Sequence, residues 1–416
     1  MRSLNGPNQL QVNSPLRICF VAPFGLGQKT TVWARVLPLA RVLVTHGHKV
    51  TILIPPWDTP ADSGKVWNDA GVRIVNVALG GGLLGLLWRL LREIRQRRPD
   101  IVHIVKPRAH AGLVQWWLWH VRRLPRAQGF KLLLDIDDWE QAWSEINEYG
   151  WLISRFLAWQ EEWGIRHTDG ITAASVWLVD RARAYAPESP IHYLPNGVAK
   201  SAIEHATDSS YSTKEKTILY FSRMIEVQPS WLAKFVCALE EEEPNARLLI
   251  AGGGLNAERD RWFQAEFDMH RAKVRAGINS TSQMQVEWLG LIPSNEITDL
   301  YIRATCAIFP AEDVPLQQAK CSVRLATTLL NGVPVIASAV GQQAEYGAER
   351  AAVLIDHRGQ ICADPASFSN AVVAVLREPE QQRDLVAAAQ ARLLSEYNWQ
   401  KLGDSLADFY VEMIKR

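Results

Sequence analysis

What most constrains this chain is an alternation, met twice, of short apolar runs with longer stretches of helical periodicity. The first series places strands at 17–22, 49–56, 71–79, 100–107, 130–138, 170–175 and 190–197. Helical patterns lie between them, at 31–47, where Pro38 predicts a kink, and at 83–98. The strand runs are apolar at every position rather than at alternate ones. That pattern marks parallel strands covered on both faces by helices. A polar, serine-rich stretch at 201–216 then reads as a linker. Strands resume at 217–222, 246–254, 284–290, 306–310, 333–341 and 351–355, and a mostly helical tail follows from about 365. The fold class expected is α/β, two doubly wound Rossmann-like domains in tandem, with a boundary near 198–216. Ligands of such sheets sit outside the carboxyl ends of the strands, so the expected site is a cleft between the two domains.

The length of 416 residues suits two domains. A net charge of +1 gives no field for nucleic acid. Five cysteines without a CxxC pair disfavour a zinc site or a disulfide scaffold and suit a reducing cytosol. Residues 1–16 are polar, with no secretion signal among them. The stretch "VALGGGLLGLLWRLL" is broken by three glycines and Arg89 and is too short to cross a bilayer. The expected location is therefore cytoplasmic.

The loop "VAPFGLGQKTTVWAR" at 21–35 poses the first chemical question. A triphosphate-binding loop needs glycine directly before its lysine, but Gln28 precedes Lys29, and Gly25 and Gly27 are wrongly spaced. The dinucleotide fingerprint lacks its third glycine. What remains is a turn that brings backbone donors to a helix N-terminus, a contact suited to an anion or a sugar.

Four stretches then carry a resemblance: "YLPNGV" at 193–198, "YFSR" at 220–223, "LLIAGGG" at 248–254, and "KCSVRLATTLLNGVPVIASAVGQQAEYG" at 320–347. Their order resembles family 4 of the retaining, nucleotide-sugar-dependent glycosyltransferases, whose fold is GT-B. The resemblance implies an N-terminal acceptor-side domain at 1–200 and a nucleotide-sugar-binding domain at 201–395. A last helix at 396–416 would pack back toward the first domain. It implies that Arg223 and Lys320 hold the donor diphosphate and that Glu345 holds donor sugar hydroxyls or nearby backbone. Gly25, Gly27, Gly253, Arg324, Thr327, Gly341 and Gln342 would complete the donor site, a glycine turn without a ligand being the competing reading at 252–254. His110 is a candidate for contact with the donor sugar, against a reading as a plain surface or packing histidine. The family's usual second lysine falls at Gln228, and its ribose-holding glutamate at Thr327. A catalytically degenerate binding protein is accordingly the alternative reading.

The chemistry is coherent. Negative charge develops on the departing diphosphate, and Arg223 and Lys320 would be aimed at it. The resemblance implies no cofactor beyond the nucleotide-sugar co-substrate and no required metal, although 135–138 and 312–314 supply adjacent carboxylates. Lys106, Asp137, Asp138 and Glu140, with Asp135, follow two first-domain strands and are expected on the acceptor side. A helix-capping role for these acids is the competing reading. The acceptor would be a glycan or a lipid-linked glycan, in glycan, glycolipid or cell-envelope polysaccharide synthesis. The stretches 83–100 and 114–126 both join Trp and Leu to clustered Arg. They suggest peripheral membrane contact, against a reading as ordinary sheet-covering helices.

Overall fold

A computed structural model describes residues 14–25, 31–122, 129–199, 215–254, 256–278, 284–293 and 295–416. The chain divides into two units, Met1–Gly197 with Trp399–Arg416, and Val198–Asn398.

The first unit contains β1 (Arg17–Val21), β2 (Lys49–Ile54), β3 (Val66–Asp69), β4 (Val72–Asn76), β5 (Ile101–Val105), β6 (Lys131–Ile136), β7 (Gly170–Ala173) and β8 (Ile191–Tyr193). Their order in the sheet is β3-β4-β2-β1-β5-β6-β7-β8. All neighbours are parallel except β3, which pairs antiparallel with β4 at one edge. β3 was not foreseen in the sequence, because "VWND" is short and half polar and carries no continuous apolar run. The second unit holds β9 (Thr217–Phe221), β10 (Arg247–Ala251), β11 (Gln285–Gly290), β12 (Cys306–Phe309), β13 (Val335–Ser338) and β14 (Val353–Ile355). This sheet runs β11-β10-β9-β12-β13-β14 and is parallel throughout. In both units the central strands are buried apart from an end residue, as their apolar runs require.

The kink expected at Pro38 takes another form. A π-helical turn, Val32–Val36, runs directly into the helix Leu37–Thr45, which has Pro38 in its first turn. The wider turn absorbs the missing proline N–H without a break in the helix. It also aims Arg35 inward. Arg35 is buried and grips Asp135 of β6 with both arms of its guanidinium, Nε–Oδ2 at 2.8 Å and Nη2–Oδ1 at 2.7 Å. It donates further to Leu194 O at 2.9 Å, Pro195 O at 3.3 Å and Asn196 Oδ1 at 3.1 Å. Asp135 accepts from Thr172 Oγ1 of β7 at 2.6 Å. His103 of β5 lies 3.2 Å from that hydroxyl and 2.7 Å from Tyr410 OH on the C-terminal helix Trp399–Lys415. The Pro-Asn-Gly segment is thus anchored by a buried ion pair, and Asp135 belongs to this network rather than to an acceptor surface. Burial pushes the His103 imidazole down to about 4, so the ring is neutral within it.

The C-terminal helix packs on the helix Leu37–Thr45 and buries Leu402, Leu406, Phe409 and Tyr410 in the first unit's core. The expected linker at 201–216 lies mostly outside the described residues.

Candidate active site

The second unit gathers cations at the carboxyl ends of its strands. Arg223 follows β9 and is exposed. Lys320 directly precedes the Cys321-Ser322 entry to the helix Val323–Leu330, and Arg324 lies in that helix's first turn. Arg324 sits over the ring of Phe221, 4.9 Å from its centroid. Its guanidinium is desolvated and repelled by Arg223, with Glu226 the main opposing charge. Glu226 is the carboxylate among them, paired with the Lys320 ammonium. Glu226 Oε2 accepts from Ser222 Oγ at 2.8 Å, Arg223 N at 3.0 Å and Ile225 N at 3.1 Å. Glu226 Oε1 accepts from Lys320 Nζ at 3.1 Å. Burial opposes ionisation of Glu226, but Lys320 and these donors outweigh it and hold its carboxyl down at about 2. Sequence reasoning missed Glu226. Its only signal was an acid three residues after the motif arginine.

Neighbouring loops complete this face. Gly252, after β10, has φ +105°, and a Cβ there would lie 2.1 Å from Ser222 O. Only glycine lets the two strand-end loops approach so closely. Gly253 follows it in the same loop, and at Gly254 a Cβ would lie 3.3 Å from Arg223 O. Gly341 opens the short helix Gly341–Gly347 with φ +46°, and a Cβ there would sit 2.7 Å from Gln318 O. Beside it, buried Gln342 accepts from Ser322 N at 3.1 Å, which pins the loop that carries Lys320. Gln342 is therefore a positioning residue for this loop. Thr327 lies one turn beyond Arg324, and its hydroxyl is used locally. It is 3.0 Å from both Val323 O and Arg324 O and 3.3 Å from Tyr301 OH. Glu345 lies near the end of its helix, half-buried, and its carbonyl accepts from Arg392.

The first unit gathers a different set. Gly25, after β1, donates its N–H to Asp58 Oδ1 at 2.5 Å. Gly27 lies outside the described residues. Beyond β5 the chain turns through two strained non-glycine residues, Lys106 with φ +63° and Ala109 with φ +50°. Lys106 Nζ pairs with Asp137 at 2.8 Å and with Glu140 at 2.9 Å, and Arg108 pairs with Glu140 at 2.7 Å. Burial works against the Lys106 ammonium, but Asp137, Glu140 and Asp138 together hold it above lysine's ordinary range. Burial also pushes Asp137 up to about 6, with Lys106 opposing it. Asp138 accepts from Trp139 N at 2.9 Å, just ahead of the helix Glu140–Ile146. The expected acceptor-side acids are thus largely engaged with Lys106 and Arg108.

His110 differs from them. Its two ring nitrogens are buried and have no hydrogen-bond partner among the described residues. Desolvation lowers its pKa, which keeps the ring neutral, with one donor and one acceptor. Gln160, missed in the sequence, clamps the residue before it: Ala109 N donates to Gln160 Oε1 at 2.9 Å, and Gln160 Nε2 donates to Ala109 O at 3.0 Å. The imidazole thus leaves a donor and an acceptor unused by the described residues, one residue beyond a clamped, strained position. Among the described residues, no group of three or more His, Cys, Asp or Glu side chains is placed to hold a metal ion.

Comparison with known proteins agrees with this architecture. The family profile described as "Glycosyl transferase 4-like domain" matches residues 30–197, and "Glycosyl transferases group 1" matches 215–378. Glycogen synthase of Mycobacterium tuberculosis is 25% identical over 346 residues, covering 80% of this chain and 74% of that protein. Sucrose-phosphate synthase from Thermosynechococcus elongatus superposes with a TM-score of 0.67 at 16% identity, over 96% of this chain and 99% of that one. Anabaena HepE, solved in complex with UDP, superposes with a TM-score of 0.60 at 14% identity, over 95% of this chain and all 100% of its own.

Proposed function

This chain belongs to the group 1 glycosyltransferases of GT-B fold and is a transferase enzyme, and from that premise we propose that it moves a sugar from a nucleoside-diphosphate donor to a glycan or lipid-linked acceptor, with retention of configuration. The observation that carries this reading is the convergence of Arg223, Lys320 and Arg324 on the strand ends of the second unit, beside the N-terminus of the helix Val323–Leu330. Negative charge grows on the diphosphate as the glycosidic bond breaks. A planar fork, a point charge and a helix N-terminus aimed there lower the barrier. That Anabaena HepE has been solved with UDP and with UDP-glucose supports a nucleotide sugar as donor.

In this reading the acceptor oxygen attacks the anomeric carbon from the face the diphosphate leaves. The acceptor's proton passes to a departing phosphate oxygen. His110 contacts the donor sugar, Glu345 holds its hydroxyls or nearby backbone, and Lys106, Asp137, Asp138 and Glu140 order the acceptor side. Leaving-group charge is met by side chains, so the reading includes no metal. The enzyme works in the cytoplasm, in glycan, glycolipid or cell-envelope polysaccharide synthesis.

The test is thermal unfolding with UDP, GDP, ADP, dTDP and CMP, each with and without magnesium. A ligand at a hundredfold excess over its dissociation constant stabilises the folded state by about 2.7 kcal/mol. The expected result is a magnesium-independent shift with one diphosphate, lost in Arg223→Ala. In turnover assays with the donor so identified, Arg223→Ala and Lys320→Ala should each cost about 2–4 kcal/mol in kcat/KM. No shift with any of the nucleotides sinks the donor assignment and favours a degenerate binding protein.

A further inference from the structure

We propose that the outer surface of three first-unit helices, Gly82–Arg97, Ala109–Val121 and Trp151–Arg166, docks on a membrane surface that carries anionic headgroups. The three helices pack side by side, the middle one over β5 and β6. The buried side of the first helix is apolar, with Leu86, Leu90 and Ile94, while those of the second and third also carry Gln115, Gln160 and Glu161. The outward sides of all three carry large apolar residues as well, and sheet packing does not explain that. On the first helix Leu84 is 76% exposed and Trp88 59%. On the third, Trp151 is 68% and Leu152 72% exposed, with Phe156 and Trp159 following at helical spacing. The second helix adds exposed Trp116 and Trp117.

On the second and third helices these rings form a continuous surface. Trp116 lies 4.5 Å from His120, and His120 stacks on Trp163 across the helix boundary at 5.8 Å and 13°. Trp163 continues to Trp159 at 6.1 Å, and Trp159 to Phe156 at 5.8 Å. A contiguous exposed apolar face of this kind marks an interaction site.

Charge selects the occupant. Arg92 lies over Trp88, 5.4 Å from the ring centroid, and Arg155 lies over Trp151 at 5.5 Å. Arg95 is exposed on the same side of its helix as Trp88. Among the described residues none of these three arginines has a carboxylate partner. The acids of the same helices are engaged: Glu93 with Arg97, Glu161 with Arg181 at 3.1 Å, and Glu162 with Arg166 at 3.4 Å. Unpaired arginines beside indoles suit an interface where rings sit at headgroup depth and cations meet lipid phosphates. A second copy of the chain fits poorly, because a two-fold contact sets this patch against itself and arginine against arginine. The helices lie on the surface rather than span it, since no described helix is long and apolar enough to cross a membrane.

The structure also restricts which arginines take part. Arg89 is committed to the carbonyls of Ala78 and Gly80, and Arg122 to Asp169, so neither is free for lipid.

The experiment is cosedimentation of the full chain with vesicles of phosphatidylcholine alone and of phosphatidylcholine with phosphatidylglycerol, at low and high salt. Neither donor nor acceptor is added, so the result is independent of the transferase reading, which the nucleotide melting experiment tests separately. The protein should pellet with the anionic vesicles and be released by salt. The triple change Arg92→Glu, Arg95→Glu, Arg155→Glu should weaken binding by about tenfold or more. Trp151→Ser with Leu152→Ser should also release it. Both variants change exposed side chains and should keep the parent melting temperature. No pelleting at low salt, or equal pelleting with neutral vesicles, overturns the proposal. So does a dimer in size-exclusion chromatography that the Trp151→Ser, Leu152→Ser variant dissolves, because a second copy then occupies the face.

Discussion

Glu226 takes four donors at once, two backbone N–H groups, a hydroxyl and the Lys320 ammonium, in the place where the donor diphosphate is proposed to bind. It orders the loop that presents Arg223, and it also neutralises one of the cations available to phosphate. Its folded pKa of about 2 lies below the ordinary glutamate value. A depressed acid stabilises the fold fully above the unfolded pKa, and that contribution is lost as pH falls through 4.5 toward 2. A shift of this size corresponds to about 3 kcal/mol. Glu226→Gln should therefore be less stable at neutral pH, and its acid unfolding curve should be flatter between pH 5 and 2, on the order of that amount. With Lys320 released, the same variant should bind the diphosphate about fivefold more tightly, measured by calorimetry at fixed salt. Weaker binding would mean that Glu226 contributes more by ordering the loop than it costs in charge.

At the scale of elements, the site depends on how closely loops approach one another. The helix Gly341–Gly347 begins against the backbone of Gln318, and a side chain at position 341 meets both a steric clash and an unfavourable φ. Gly341→Ala should cost about 1–3 kcal/mol of stability and should weaken the diphosphate-induced melting shift in step, because the displaced segment carries Lys320. Gly277→Ala, in a helix with open space around it, should leave the melting shift unchanged. If Gly341→Ala lowers the melting temperature but leaves the ligand shift intact, the close approach is structural alone. In the first unit the corresponding device is the Arg35–Asp135 pair, which ties the π-turn to β6 and to the Pro-Asn-Gly segment. The proline in the sequence pointed to an irregular helix. It carried no sign that the irregularity turns an arginine into the core.

At the scale of the whole molecule, the first unit is closed by the last helix of the chain. Leu402, Leu406, Phe409, Tyr410 and Met413 are all buried in its core. Each large apolar side chain contributes about 1.5–3 kcal/mol on burial, so together they rival the net stability of a domain. A chain ending at Asn398 should lose the cooperative unfolding of the first unit, while the second unit keeps its own. Limited proteolysis should then degrade residues 14–197 and leave a resistant fragment from within 215–398. Full resistance of the shortened chain would show that the helix is an accessory.

The sequence alone determined the parallel strands of both sheets, though not the antiparallel edge strand β3, and, through motif spacing, the family, because a strand buried on both faces must be apolar at every position and a strand-end glycine has few substitutes. It also brought Arg223, Lys320, Arg324 and His110 to notice. It did not reveal that Glu226 sits among the cations, that Gln160 clamps the turn before His110, or that Thr327 spends its hydroxyl on its own helix. Nor did it separate the committed arginines, 89 and 122, from the available ones, 92, 95 and 155. Those are matters of pairing between residues distant in the chain. Charge and hydrogen-bond capacity are properties of a residue, but which partner consumes them is decided only when the loops at the strand ends come together.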